Sequence, residues 1–181
     1  RPGAVRHCRP PMQPTPLALW PLADRARIHG VLTDIDDTLT ADGALAPEAL
    51  DALQRLRAAG LPVLAVTGRP VGWSEPFALA WPIDAIVAEN GAVALWRDDA
   101  GRLQRAYLQD AATRAAHLQR LQATAARVRQ ALPHATLAQD SAGRETDIAI
   151  DHSEFAHLDE AAIARVVALM QAEGMVATVS S

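Results

Sequence analysis

Lysine is absent from the 181-residue chain: all 17 basic side chains are arginine. A GC-rich coding bias explains the exchange, and the abundance of alanine agrees with it. The chemical consequence is that no ammonium side chain is present for any site that wants one. Cysteine occurs once, at Cys8, which excludes an intrachain disulfide and a cysteine-rich metal site. The six histidines show no metal-binding spacing such as His-x-x-x-His, and His152 and His157 read as surface residues. Positive charge is in deficit, with a net charge of −4, so nucleic-acid binding has no electrostatic support. No apolar run approaches the roughly 18–20 residues of a membrane span. The default expectation is a soluble cytoplasmic protein without membrane or nucleic-acid partners. Residues 1–27 form a proline- and arginine-rich segment with no initial methionine and no continuous apolar core of a secretory signal. Met12 is the first methionine, so residues 1–11 read as upstream sequence or a fragment's edge, poorly ordered to about Pro16.

Half of the residues are hydrophobic, enough for a real core, and the length suits one domain or one and a half. The richest stretch is 31–40, Val-Leu-Thr-Asp-Ile-Asp-Asp-Thr-Leu-Thr. The apolar run from Ile28 reads as a strand buried on both faces, as in a parallel sheet. It ends in Asp34, Asp36 and Asp37. Crowded carboxylates repel, so a hard divalent cation such as magnesium is the obvious compensation. A calcium loop starting at Asp34 would need Gly and Glu where Leu39 and Leu45 stand. An acidic turn remains as the plain structural reading.

A helix opens at Ala46-Pro47-Glu48 and ends at Gly60, because proline suits the first helical position and glycine the left-handed stop. Pro62 to Val66 is a second strand, ending in Thr67-Gly68-Arg69. Ser74 reads as the cap of a second helix with Glu75 and Pro76 in its first turn. Ile83 to Ala88 is a third strand, ending in Glu89-Asn90-Gly91. Right-handed crossovers make the three strands parallel and bring Asp34, Thr67 and Asn90 to one sheet edge. Ligands bind beyond that edge in open α/β sheets. Asn-Gly is also a common hairpin turn, so Asn90 is either a ligand residue or a turn residue. Arg69 has three candidate partners: a phosphate, Glu89 or solvent.

Residues 93–108 read as two strands joined by Asp98-Asp99-Ala100-Gly101. A long helix over 110–132 follows, with its arginines Arg114, Arg120, Arg127 and Arg129 mostly on the solvated side. Asp147 to Asp151 alternates polar and apolar and reads as a strand with one wet face. A helix over 159–173 and a strand over 175–179 complete a β-α-β pattern. Arg144 reads as either a ligand contact from this module or a member of a structural ion pair.

Asp34-Ile35-Asp36-Asp37-Thr38 after a hydrophobic strand, followed by Thr67-Gly68-Arg69 one βαβ unit later, resembles the first two motifs of the haloacid dehalogenase superfamily. Glu89-Asn90-Gly91-Ala92 resembles the stretch before the cap in its Cof-type (IIB) phosphatases. The resemblance covers about residues 28–181 and implies an α/β fold. That fold is the N-terminal half of a Rossmann-like parallel sheet core over 28–92, with an inserted α+β type 2 cap over 93–181. It implies a magnesium-dependent phosphate-monoester hydrolase. Asp34 would be the nucleophile and Asp36 the acid and base. Thr67, Gly68, Arg69, Asn90 and Arg144 would bind a small phosphorylated metabolite, and a phosphorylated sugar is favoured. Asp34 and the backbone carbonyl of Asp36 would hold Mg2+. The family's later Lys and acidic motif are not in this chain, so the expectation is a fragment, inactive by itself. A catalytically dead phospho-ligand-binding protein of the same fold is the alternative.

Overall fold

The structure, a computed structural model, describes residues 16–41 and 43–179. The expectation of disorder before Pro16 therefore lies outside the described residues. A short 3-10 turn (Leu17–Leu19) and a one-turn helix α1 (Leu22–Arg25) lead into β1 (Val31–Asp34). A two-residue hairpin, β2 (Thr40–Ala41) and β3 (Ala44–Leu45), closes the loop after it. Then come α2 (Pro47–Ala58), β4 (Val63–Val66), α3 (Val71–Ala80) and β5 (Ala85–Ala88). β6 (Val93–Arg97), β7 (Leu103–Tyr107), α4 (Ala111–Ala131) and α5 (Glu160–Ala172) complete the chain.

The five-stranded sheet runs β1-β4-β5-β6-β7. β1, β4 and β5 are parallel, and β6 and β7 return antiparallel. Three parallel neighbours follow from the βαβαβ pattern. The two strands expected over 93–108 form a hairpin. β6 pairs Ala85↔Trp96 through Ala88↔Val93 with β5, so it extends the core sheet, and the sheet ends only at Tyr107. Asn-Gly acts here as turn chemistry, with Glu89 and Asn90 both at positive φ, +49° and +56°.

Among the described residues, one face of the sheet is a core. Val63, Ala65, Ile86, Ala88, Val93 and Leu95 are buried there beneath α2 and α3. α2 follows its sequence signals, with Pro47 at its first position, Leu53 buried and Gly60 stopping it at φ +72°. The opposite face carries Leu32, Leu64, Val66, Ala85 and Val87 in register, and Leu32 is 74% exposed. β1 is thus not buried on both faces as expected. Among the described residues it has β4 as its sole sheet neighbour.

α3 begins three residues before the expected cap. Val71 opens it, Ser74 lies inside it and Pro76 sits mid-helix. The Ser74 hydroxyl is buried and donates back to the Pro70 carbonyl at 2.9 Å. An internal hydrogen bond of that kind is the usual fate of a serine within a helix.

α4 and α5 pack around Val128, Ala135 and Val166. Each has an aspartate cap. Asp110 accepts from the Thr113 amide at 2.9 Å and Asp159 from the Ala162 amide at 2.8 Å. Three of the expected solvated arginines of α4 have partners. Arg114 stacks on Tyr107, Arg120 reaches the Glu173 carbonyl at 3.0 Å, and Arg127 pairs with the Glu173 carboxylate. The strands expected at 147–151 and 175–179 are not formed. A single bridge, Leu137↔Ile150, remains of the first. Asp151 instead folds the chain back by accepting from the amides of Ser153, Glu154, Phe155 and Ala156. Val176, in the second, is exposed and has no strand to pair with among the described residues. No helix among the described residues is long and apolar enough to cross a membrane.

Candidate active site

The loop after β1 winds around one carbonyl. Ile35 is fully buried, and its C=O accepts from the amides of Thr38, Leu39 and Thr40 and from the Thr40 hydroxyl. Asp37 takes a left-handed turn, φ +55°, to allow this. The winding leaves Asp34 exposed at the carboxyl end of β1, with the Thr38 hydroxyl donating to its Oδ2 at 3.3 Å. Asp36, two residues on, turns toward the end of β4.

There Thr67 is buried. Its hydroxyl donates to Asp36 Oδ2 at 3.3 Å and accepts from the Arg69 amide at 3.0 Å. Gly68 lies in close approach to the β5–β6 turn, since a Cβ there would lie 3.1 Å from Asn90 Oδ1. Arg69 resolves its three candidate partners in favour of a fourth. Its Nε and Nη2 both donate to Asp36 Oδ1, at 3.0 and 2.9 Å, and its guanidinium lies 5.4 Å from the Trp73 ring centre. The bond to Asp36 raises the Arg69 pKa further above its ordinary value.

The segment between α4 and α5 closes over these groups. Arg144 is 10% exposed and forms the structural ion pairs, with Asp147 at 2.7 Å and with Asp140 at 3.1 Å. It also donates to the Gly68 carbonyl at 3.2 Å, so it touches the loop after β4 as well. Burial pulls its pKa down, but the bonds and charges of Asp147 and Asp140 more than offset that. Asp147 has its carboxyl raised above the usual range, chiefly by burial, against the opposing pull of Arg144. Asn90 donates to Asp147 at 3.3 Å from the β5–β6 turn.

A cleft of about 1000 Å³ is lined by Asp36, Gly68, Arg69, Asn90, Arg144 and Asp147, with apolar side chains of α5 on its far side. Six of the seven sequence-derived site residues thus meet. Five of them line the cleft, and Thr67 lies buried behind Asp36. Asp34 stands outside the lining, exposed on the β1 side. Asp140 and Asp147 were missed from the sequence, although the spacing of Asp140, Arg144 and Asp147 signals a carboxylate–guanidinium chain. In the sequence, Glu89 reads as a candidate partner for Arg69 and as the first residue of the Glu89–Ala92 stretch. The structure instead buries it among backbone amides.

Hard oxygen donors suit magnesium, which keeps several waters and needs few protein ligands. The Asp34 carboxylate, with one hydroxyl donor beside it, fits that chemistry. The Asp36 carboxylate does not, because Arg69 and Thr67 occupy it. Of Asp36, the backbone carbonyl is the group left for a cation. Among the described residues no three His, Cys, Asp or Glu side chains converge on a common metal position.

The fold has counterparts among solved structures. A crystal structure from Thermoplasma acidophilum superposes with a TM-score of 0.57 at 16% identity, over 83% of this chain and 60% of that one. ATP-bound IMP-nucleotidase from Plasmodium falciparum gives 0.51 at 12% identity, over 82% and 42%. The chain thus spans less than two thirds of the length of either. No curated protein matches it. The model of the haloacid dehalogenase-like hydrolases matches residues 31–124, from the first residue of β1 into α4 and over more than half of the chain. It takes in both the Asp34–Thr38 and the Thr67–Arg69 stretches, and the chain belongs to the haloacid dehalogenase-like hydrolases.

Proposed function

We propose that the chain carries the nucleophile and the acid–base group of a magnesium-dependent phosphate-monoester hydrolase. One observation carries this reading: Asp34, Asp36 and Thr67 sit at the carboxyl ends of two adjacent parallel strands, paired Asp34↔Val66. In that arrangement a phosphoryl group resting over Asp34 has a donor and a proton carrier within reach.

In the first step an Asp34 oxygen attacks phosphorus while the ester P–O bond breaks. The leaving oxygen takes a proton from Asp36, and the aspartyl-phosphate forms. In the second step Asp36 takes a proton from water, whose oxygen attacks the same phosphorus. Phosphate leaves and the Asp34 carboxylate returns. Thr67 and Gly68 fix the phosphoryl oxygens. Arg69, beside Asp36, meets the phosphoryl group, and Asn90 and Arg144 face the remainder of the substrate, a phosphorylated sugar or related small metabolite. Asn90, Asp140 and Asp147 offer hydroxyl-recognising groups around the cleft. Asp34 and the Asp36 carbonyl would hold magnesium, which would supply charge compensation between carboxylates and phosphate.

Turnover by residues 1–181 alone is expected to be little or none. The chain has no lysine, and among the described residues no three acidic, histidine or cysteine side chains converge on a metal position. The nucleophile is tested without turnover. Beryllium trifluoride mimics a phosphoryl group on a carboxylate. With magnesium it should give a bound fluorine NMR signal in the wild-type chain and none in Asp34→Asn. A wild-type chain that gives no signal, or a variant that keeps it, refutes Asp34 as the nucleophile.

A further inference from the structure

Glu89 is the most enclosed carboxylate near the cleft, 2% exposed, and it has no cationic partner among the described residues. Burying such a charge is costly unless donors surround it. Four neutral donors do. Oε1 accepts from the amides of Val71 at 3.1 Å and Glu145 at 2.9 Å. Oε2 accepts from the Thr146 amide at 2.6 Å and from the Thr146 hydroxyl. The backbone at Glu89 is held at φ +49°, a left-handed conformation that costs energy for a residue with a Cβ.

The donors come from the two segments that carry the cleft arginines. Val71 opens α3 two residues after Arg69, and its amide is one of the helix's unpaired first-turn donors. Glu145 and Thr146 directly follow Arg144. The backbone repeats the link. The Glu89 amide donates to the Arg69 carbonyl at 3.1 Å, and the Asn90 amide to the Thr67 carbonyl at 3.2 Å. A separate contact shows how tightly the two segments meet. A Cβ on Gly72 would lie 3.1 Å from Gly143 Cα, so the α3 start and the Arg144 segment touch backbone to backbone.

We infer that Glu89 is a positioning residue: its carboxylate fixes the Arg69 loop and the Arg144 segment against each other and so sets both guanidinium groups at the cleft. The positioning role rests on the phosphoryl-transfer reading, but the geometry it specifies does not. A plain helix cap would stabilise α3 and leave Arg144 indifferent to it. Here one carboxylate serves both segments, so disturbing it moves both arginines together.

The test is arginine side-chain NMR on the full chain labelled with 15N-arginine. Nε–H groups held in hydrogen bonds exchange slowly enough to be seen. Arg69 Nε bonds Asp36 at 3.0 Å and Arg144 Nε bonds Asp140 at 3.3 Å. Arg102 Nε, bonded to Asp98 at 2.9 Å on the far β6–β7 turn, is the internal control. Arg69→Met and Arg144→Met assign the signals. Glu89→Gln keeps size but aims an NH2 group at donors, so both cleft signals should shift or vanish while that of Arg102 stays. Thr146→Val removes one hydroxyl bond and is the milder lesion if Glu89→Gln does not fold. It should shift both signals in the same sense by less. Unmoved cleft signals in a folded variant, or movement of one alone, overturns the inference. The beryllium trifluoride signal of the wild type, read separately, shows whether the phosphoryl-transfer reading has failed instead.

Discussion

Replacing Arg69 by methionine separates what a contact does for the fold from what it does for a ligand. Arg69 and Asp36 are 2.9 Å apart, yet their side chains are 41% and 39% exposed. Ion pairs that wet contribute about 0.2–1 kcal/mol. Stacking on Trp73 adds about 0.5–1 kcal/mol, and methionine keeps part of that contact. The expected loss of stability is therefore about 1 kcal/mol. With a urea slope of about 2 kcal/mol per molar, the midpoint should fall by about 0.5 M. A phosphate oxygen meeting the same guanidinium makes a charge-assisted bond of about 1.5–3 kcal/mol. Arg69→Met should then weaken binding of inorganic phosphate by about 10- to 150-fold. Urea titration followed by tryptophan fluorescence reads the first quantity, and calorimetric titration with phosphate and magnesium reads the second. A loss of stability above about 3 kcal/mol with phosphate affinity unchanged would refute the reasoning, since that is the signature of a buried structural pair.

Asp147 carries a pH prediction. Its carboxyl is raised above the ordinary 3.8, mainly by burial, so between that value and its folded value the native state binds more protons than the unfolded chain. Its contribution to stability therefore falls as pH rises from about 4, and is fully lost above the folded pKa. Asp147→Asn should look better relative to wild type at pH 7 than at pH 4 in urea titrations, and a flat or opposite trend would sink the assignment. Leu32→Thr should raise the concentration at which the chain self-associates in sedimentation runs, because it removes an exposed leucine from an edge strand. Its stability should change by no more than about 0.5 kcal/mol, and a loss above about 1 kcal/mol would mean that the side chain is covered.

Features encoded locally were legible in the sequence. The βαβαβ order came from short apolar runs between helical spacings, and Pro47 and Gly60 bounded α2 where expected. Asp34, Thr67 and Asn90 reached one edge because parallel strands put their ends together. Features that depend on distant partners were not legible. The alternation of 147–151 is necessary for a strand, but Asp151 and Asp147 found other partners, and the segment gained one bridge only. Ser74 had the right chemistry for a helix cap. The helix starts earlier because Glu89, eighteen residues beyond Val71, supplies the acceptor for the first amide. No window of sequence around Ser74 contains that information. The pairing of β6 with β5 was illegible for a related reason, since hairpin strands read alike whether they open a new module or extend the old sheet.

The missing lysine acquires a structural meaning once the site is in view. A coding bias explains why every cation is arginine, but the fold uses what arginine alone provides, a planar fork with several donors. Arg144 reaches Asp140, Asp147 and the Gly68 carbonyl at once. Arg105 spans Glu75 on α3 and Glu145 beside Arg144. Arg97 closes the end of α3 by donating to the carbonyls of Leu79 and Trp81. Each joins segments distant in the chain, and an ammonium group would satisfy one partner well and leave the others. Arg69 is the exception in kind. Both its bonds go to a single Asp36 oxygen, leaving Oδ2 to Thr67 and its own Nη1 no nearer than 4.0 Å to Asp140. An arginine with unused donors, facing a cleft and half in water, is built less like a brace than like a hand kept partly open. That contrast with Arg144 is the physical reason to place the arriving anion at Arg69.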